Sequence, residues 1–146
     1  MVDTLNPIQG TNNQPPAFQN AIFANDMLTS FNGTFQLVLQ ESDGNLVLQI
    51  NDPDANPNAG MINRPVWSAY TQNQAAAFAV IQDDGNFVVY DSFQNPLWNS
   101  GTFGRQSFSG FVIIQDDGNL VIYDSDGATA IWQSGTSVGE APGVNA

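Results

Sequence analysis

The chain has no histidine and no cysteine, and only two basic residues, Arg64 and Arg105, against fourteen acidic ones. Each absence removes a class of chemistry. Without His or Cys there is no imidazole base, no thiol nucleophile and none of the common zinc ligand sets. The lack of Cys leaves the redox compartment open. A formal charge of −12 argues against nucleic acid and anionic membranes as partners, because both are met by basic patches. No apolar run approaches the ~20 residues of a membrane span. The opening "MVDTLNPIQG" has no basic segment followed by an apolar one, so no secretory leader is read there. At 146 residues the chain is one domain's worth.

What is present is short-period apolar patterning. Val, Ile, Phe and Tyr alternate with polar residues, Gly, Asn, Asp and Pro punctuate them, and no segment sustains a helical period. This predicts an all-β chain of short strands. The larger feature is an internal repeat. "IQDDGNFVVY" at 81–90 returns as "IQDDGNLVIY" at 114–123, and each is followed by a Trp block, "LWNSGT" at 97–102 and "IWQSGT" at 131–136. A looser copy precedes them, "LQESDGNLVLQ" at 39–49 with "VWSAY" at 66–70, lengthened by the loop insertion "NDPDANPNAG". The expected organisation is an irregular arm over 1–20, a body over 21–136 and a flexible tail over 137–146. The body divides into repeats at about 21–70, 71–102 and 103–136. Three sheets too small to cover their own apolar faces are predicted to pack around one pseudo-threefold axis. Trp67, Trp98 and Trp132 would meet inside as core.

Loop length decides which side chains share a face. A two-residue turn at Asp84-Gly85 would put Gln82 opposite Phe87. A three-residue turn, Asp83-Asp84-Gly85, with Gly in the left-handed position, pairs Gln82 with Asn86 instead. The second choice sorts the residues: Ala79, Ile81, Phe87 and Val89 on an apolar face, and Gln82, Asn86, Val88 and Tyr90 on the other with Asp84 at the tip. The last copy repeats this, with Gln115, Asp117, Asn119, Val121 and Tyr123 in the row. In the first copy the row is Gln40, Asp43, Asn45 and Val47; its loop is one residue longer and Gln49 stands where the others have Tyr.

Turn and strand preferences account for Asp, Gly, Val and, through backbone bonding, Asn. They do not account for Gln and Tyr on the same face twice. The residues alone leave two readings, a turn-and-strand motif or a ligand row. The row's chemistry suits a neutral polyol: Asp accepts, Asn, Gln and Tyr donate and accept, and Val offers apolar contact to C–H groups.

Gln-x-Asp-x-Asn-x-Val-x-Tyr resembles the signature of the bulb-type (monocot) mannose-binding lectins, which have the β-prism II fold. Both complete rows match it, and the likeness covers about residues 21–136. The resemblance implies metal-independent, reversible binding of mannose and mannose-terminated glycans, with no cofactor and no catalysis. It assigns site A to Gln82, Asp84, Asn86, Val88 and Tyr90, and site B to Gln115, Asp117, Asn119, Val121 and Tyr123. The Asp–Asn pairs would bind the axial 2-hydroxyl, the Gln residues the 3-hydroxyl and the Tyr residues the 4-hydroxyl, with Val against the ring carbons. The first row is implied to be weakened or dead. A homodimer formed by exchange of C-terminal strands around Ile131 to Thr136 is also implied. Localisation stays unknown: with no leader read in the opening residues, action on extracellular glycans or residence in the cytoplasm until release are the expectations.

Three rival readings remain. A calcium-dependent adhesin would use Asp52, Asp54, Asn56 and Asn58, or Asp124 and Asp126; against it, Pro57 and Asn63 stand where an EF-hand needs Gly and Glu. A glycosidase would use the paired Asp residues at 83–84 and 116–117, which sit at exposed tips without apolar surroundings to raise a pKa. The third is a sugar-inactive scaffold.

Overall fold

The alternating pattern produces twelve short strands in a computed structural model that describes residues 17–18, 21–51 and 63–137. They are β1 Ala17–Phe18, β2 Ala21–Phe23, β3 Met27–Thr29, β4 Phe35–Leu39, β5 Leu46–Asn51, β6 Asn63–Ser68, β7 Ala76–Ile81, β8 Phe87–Asp91, β9 Pro96–Asn99, β10 Phe111–Ile114, β11 Leu120–Tyr123 and β12 Ala130–Gln133. They form three four-stranded antiparallel sheets, ordered β3-β4-β5-β6, β2-β7-β8-β9 and β1-β10-β11-β12. The all-β, three-sheet expectation is met, and the architecture is β-prism II.

The strands cut across the contiguous repeat boundaries. Ala21–Phe23, grouped by sequence with the first repeat, pairs with β7 of the middle one, and Ala17–Phe18, grouped with the irregular arm, pairs with β10. The segment from 17 to 29 thus gives one short strand to each sheet. The physical reason is the bare edge that each three-stranded repeat would otherwise present, since unpaired N–H and C=O groups seek a partner. The remainder of the arm, most of the insertion after Asn51, including Asp52, Asp54, Asn56 and Asn58, and the tail from 138 lie outside the described residues.

Inward positions of all three sheets merge into one core that includes Leu37, Leu48, Ile81, Phe87, Val89, Ile114, Leu120 and Ile122. Register sets each Trp beside an inward residue of its neighbour: Leu48↔Trp67, Val89↔Trp98 and Ile122↔Trp132. The three indoles meet edge-to-face, with centroid separations of 5.6, 5.6 and 5.7 Å and interplanar angles of 75, 72 and 74°. Near-equal spacing marks the pseudo-threefold axis, and the edge-to-face arrangement is the one aromatic quadrupoles favour.

The hairpin tips close the ring. Asp43 O accepts from Asn73 N and Asp84 O from Arg105 N, both in the links that lead on to the next sheet, and Asp116 Oδ1 accepts from Asn32 N in the β3–β4 turn. At Gly85 and Gly118 φ is +89°, and a Cβ there would lie 2.7 Å from Arg105 Cδ or 2.8 Å from the Phe35 ring. Glycine serves twice at these points, in the left-handed turn and in the close approach.

Candidate functional site

The three-residue turn is the one adopted. Gln82 N donates to Asn86 O and Gly85 N to Gln82 O, while Gln115, Asn119 and Gly118 repeat the pattern. The cross-strand register follows, Ile81↔Phe87 and Val80↔Val88, then Ile114↔Leu120 and Ile113↔Val121. Gln82 and Tyr90 therefore stand on one face, and Gln82 Nε2 donates to the Tyr90 hydroxyl. Gln115 Nε2 donates to the Tyr123 hydroxyl at 2.7 Å. Each Gln sits opposite an Asn that is four residues, ~13 Å, from its Tyr, so the amide–phenol bridge spans the intervening Val. Val88 and Val121 are each only 2% exposed. They form the floor of each row, with little of either side chain reachable from outside.

Each phenol ring is held by a Phe across the strand pair, Phe78 against Tyr90 at 5.4 Å and Phe111 against Tyr123 at 5.5 Å. The first repeat replaces both members together. Gln36 pairs with Gln49, and Gln49 Nε2 donates to Gln36 Oε1. An aromatic pair has become an amide pair, a coherent cross-strand substitution. Gln40 has lost the phenol its counterparts bond. A surface cleft of about 600 Å³ opens there, between Gln40, Asn45, Val47, Gln49 and the strand carrying Trp67.

Asp84 Oδ1 accepts from Asn86 N, Asp117 Oδ1 from Asn119 N and Asp43 Oδ1 from Asn45 N, each at 2.9 Å. The four-residue first loop therefore keeps its Asp and Asn in the same relation. The Asn side chains also do structural work that the sequence reading missed. Asn86 Oδ1 accepts from Ser100 Oγ, Gly101 N and Thr102 N, and Asn119 Oδ1 from Ser134 Oγ, Gly135 N and Thr136 N. Thr102 and Thr136 hydroxyls return a bond to Gly85 O and Gly118 O. The Ser-Gly-Thr after each Trp is thus a clamp that fixes the Asn and the hairpin tip. In the first repeat Ala69 replaces the Ser, Tyr70 takes the left-handed place of Gly at φ +57°, and Thr71 alone keeps the clamp. The signal available in the sequence was the recurrence of "SGT" itself.

Arg105, also unassigned from sequence, lies beside the tip of site A. Its guanidinium donates to Thr102 O and stands 3.6 Å from Asp124 Oδ1. Asp126, one of the calcium candidates, accepts from the Thr129 hydroxyl and from Ala128 and Thr129 amides, which hold its carboxyl down to about 2. Those bonds close a turn in the way an Asx loop does. Among the described residues no group of three or more His, Cys, Asp or Glu side chains is placed to hold a metal ion. The described residues also include no helix long and apolar enough to cross a membrane.

No protein-family model matches the chain. A monomeric monocot mannose-binding lectin from Gastrodia elata is 35% identical, with 84% of this chain and 96% of that one covered at a TM-score of 0.65. This chain belongs to the bulb-type mannose-binding lectin family. The mannose-specific agglutinin of snowdrop (Galanthus nivalis), solved with methyl α-D-mannoside, is 31% identical over 84% of this lectin and 96% of its own chain, with a TM-score of 0.59. A mannose-specific lectin from Dendrobium findlayanum is 38% identical over 61 residues, 41% of this lectin. That match spans 29% of the Dendrobium protein's length.

Proposed function

We propose that this lectin binds mannose and mannose-terminated glycans, without a metal, through sites A and B. The observation that carries the reading is the pair of rows in which Gln, Asn and Tyr share one face over a Val floor, beside the Asp of a three-residue turn. In each row a hydroxyl-bearing ring meets donors and acceptors of both kinds and needs no cation. An axial 2-hydroxyl would bind at the Asp–Asn pair, the 3-hydroxyl at Gln82 or Gln115, and the 4-hydroxyl at Tyr90 or Tyr123. The first row, Gln40, Asp43, Asn45 and Val47, has no phenol and contributes weakly. The same rows supply no general acid in an apolar pocket, so the lectin has no catalytic role in this reading.

Each hydrogen bond to sugar replaces one to water and nets only ~1 kcal/mol. Affinity for a monosaccharide is then millimolar, about −4 kcal/mol. Useful binding comes from several sites engaging one glycan-bearing surface, where avidity adds roughly 10² to 10⁴. Within one chain, β12 completes its own sheet beside β11. A homodimer made by exchanging that edge strand would double the sites.

Retention on mannose-agarose tests the reading. The lectin is expected to bind in the presence of EDTA and to elute with methyl α-mannoside but not with the glucoside. Asp84→Ala combined with Asp117→Ala should abolish retention while the thermal transition stays cooperative. Retention by the double variant, or loss of binding in chelator, would refute the assignment.

A further inference from the structure

The two rows are identical in their five motif residues but differ in what already occupies them. In site A, Asp84 Oδ2 and Asn86 Nδ2 have no hydrogen-bond partner among the described residues; Asp84 uses Oδ1 and Asn86 uses Oδ1. In site B the corresponding atoms are both engaged. Asp117 Oδ2 accepts from Ser137 Oγ at 3.1 Å, and Asn119 Nδ2 donates to Gln133 Oε1 at 2.8 Å.

The difference traces to two positions, Gln133 where the middle repeat has Asn99, and Ser137 where it has Phe103. The residue after each Trp is Ser68, Asn99 or Gln133. Ser68 Oγ accepts from Tyr70 N, and Asn99 Oδ1 accepts from Gly101 N at 2.8 Å, so both short side chains cap their own loop. Gln133 is too long for that bond. It pairs in register with Val121, as Asn99 does with Val88, and its amide reaches along the row to Asn119. Asn119 is correspondingly only 7% exposed.

We infer that Gln133 and Ser137 are affinity-determining residues that hold site B in a self-bonded state, making it the weaker of the two complete sites. The inference rests on the mannose reading above. A hydroxyl arriving at site A meets an open acceptor and an open donor. At site B the same hydroxyl meets a donor and an acceptor that each already make one of their two bonds. It therefore competes with two intramolecular bonds, each counting roughly fivefold in affinity where it is displaced. Site A is therefore half-saturated at a sugar concentration roughly five- to thirtyfold lower than site B. The lectin behaves as one stronger and one weaker site, and a surface must present enough sugar to engage both.

The test is a titration of the ¹⁵N-labelled full chain with methyl α-mannoside, followed at the amides of Gly101 and Gly135. Both amides donate to the site Asn at 3.0 Å, so each reports its own site. Two separated midpoints are expected, Gly101 first. Gln133→Asn with Ser137→Ala should bring the Gly135 curve towards that of Gly101, and Asn99→Gln should move the Gly101 curve the other way. Coincident midpoints in the wild type, or a Gly135 curve unmoved by the double change, would overturn the inequivalence while leaving mannose binding intact. No shift at either glycine would instead remove the mannose reading, and this inference with it.

Discussion

In the proposed reading, Asn86 and Asn119 serve architecture and recognition together. Their carbonyl oxygens are spent on the Ser-Gly-Thr clamp, which leaves the amide nitrogen of Asn86 for a ligand. Thr102 is the clamp's buried anchor, 8% exposed, donating to Gly85 O and sharing a hydrogen bond with Ser100. Thr102→Val keeps the shape but leaves that carbonyl unsatisfied. Urea denaturation should show a loss of about 1–3 kcal/mol; a change within 0.5 kcal/mol, on the order of an inert surface substitution, would mean the clamp is not structural. The motif residues were legible in the sequence because their spacing is local, five positions within nine. The clamp was not, because its partners lie 14 to 16 residues away along the chain and meet only when β9 pairs with β8. The same holds for the Gln133 contact, which depends on one methylene at an edge strand.

At the scale of elements, the hairpin is the unit that the sequence specifies best. Asp-Gly at the turn, with alternation on either side, gave loop length and face together, and the apolar face came out as expected, with Ala79, Phe87 and Val89 fully buried. The sharing of the first three strands among three sheets was not legible, since strands of two or three residues carry no period of their own. Their placement is decided by the edges they cover. The tips make the opposite case, where a local turn residue has a long-range role. Gly118 sits in the left-handed region with the Phe35 ring 2.8 Å from where a Cβ would be. Gly118→Ala should therefore cost more than the ~1–2 kcal/mol of left-handed strain alone, because Phe35 must also shift. A thermal-melt loss smaller than about 1 kcal/mol would show that the tip and β4 are not in firm contact.

At the scale of the molecule, threefold packing turns three weak faces into one core and leaves three outward rows. Trp67, Trp98 and Trp132 mark the axis from within, and the tips tie each sheet to another from without. Inside, the repeats differ chiefly among apolar residues, as where Leu46 and Leu120 stand against Phe87; outside, they differ in chemistry. The first exchanged its aromatic pair for amides, the middle keeps an open acceptor and donor, and the last has turned its own side chains onto the row. A framework held by its core tolerates such outer change, and in the proposed reading this lets one architecture carry rows of graded strength.

The most direct test of the central claim is a crystal structure of this lectin soaked with methyl α-mannoside. The account predicts a sugar over Val88 with its axial 2-hydroxyl in hydrogen-bond reach of Asp84 and Asn86 and its 4-hydroxyl near Tyr90, and no metal ion at the contact. A sugar seated elsewhere, a bridging cation, or an empty row A at saturating sugar would contradict it.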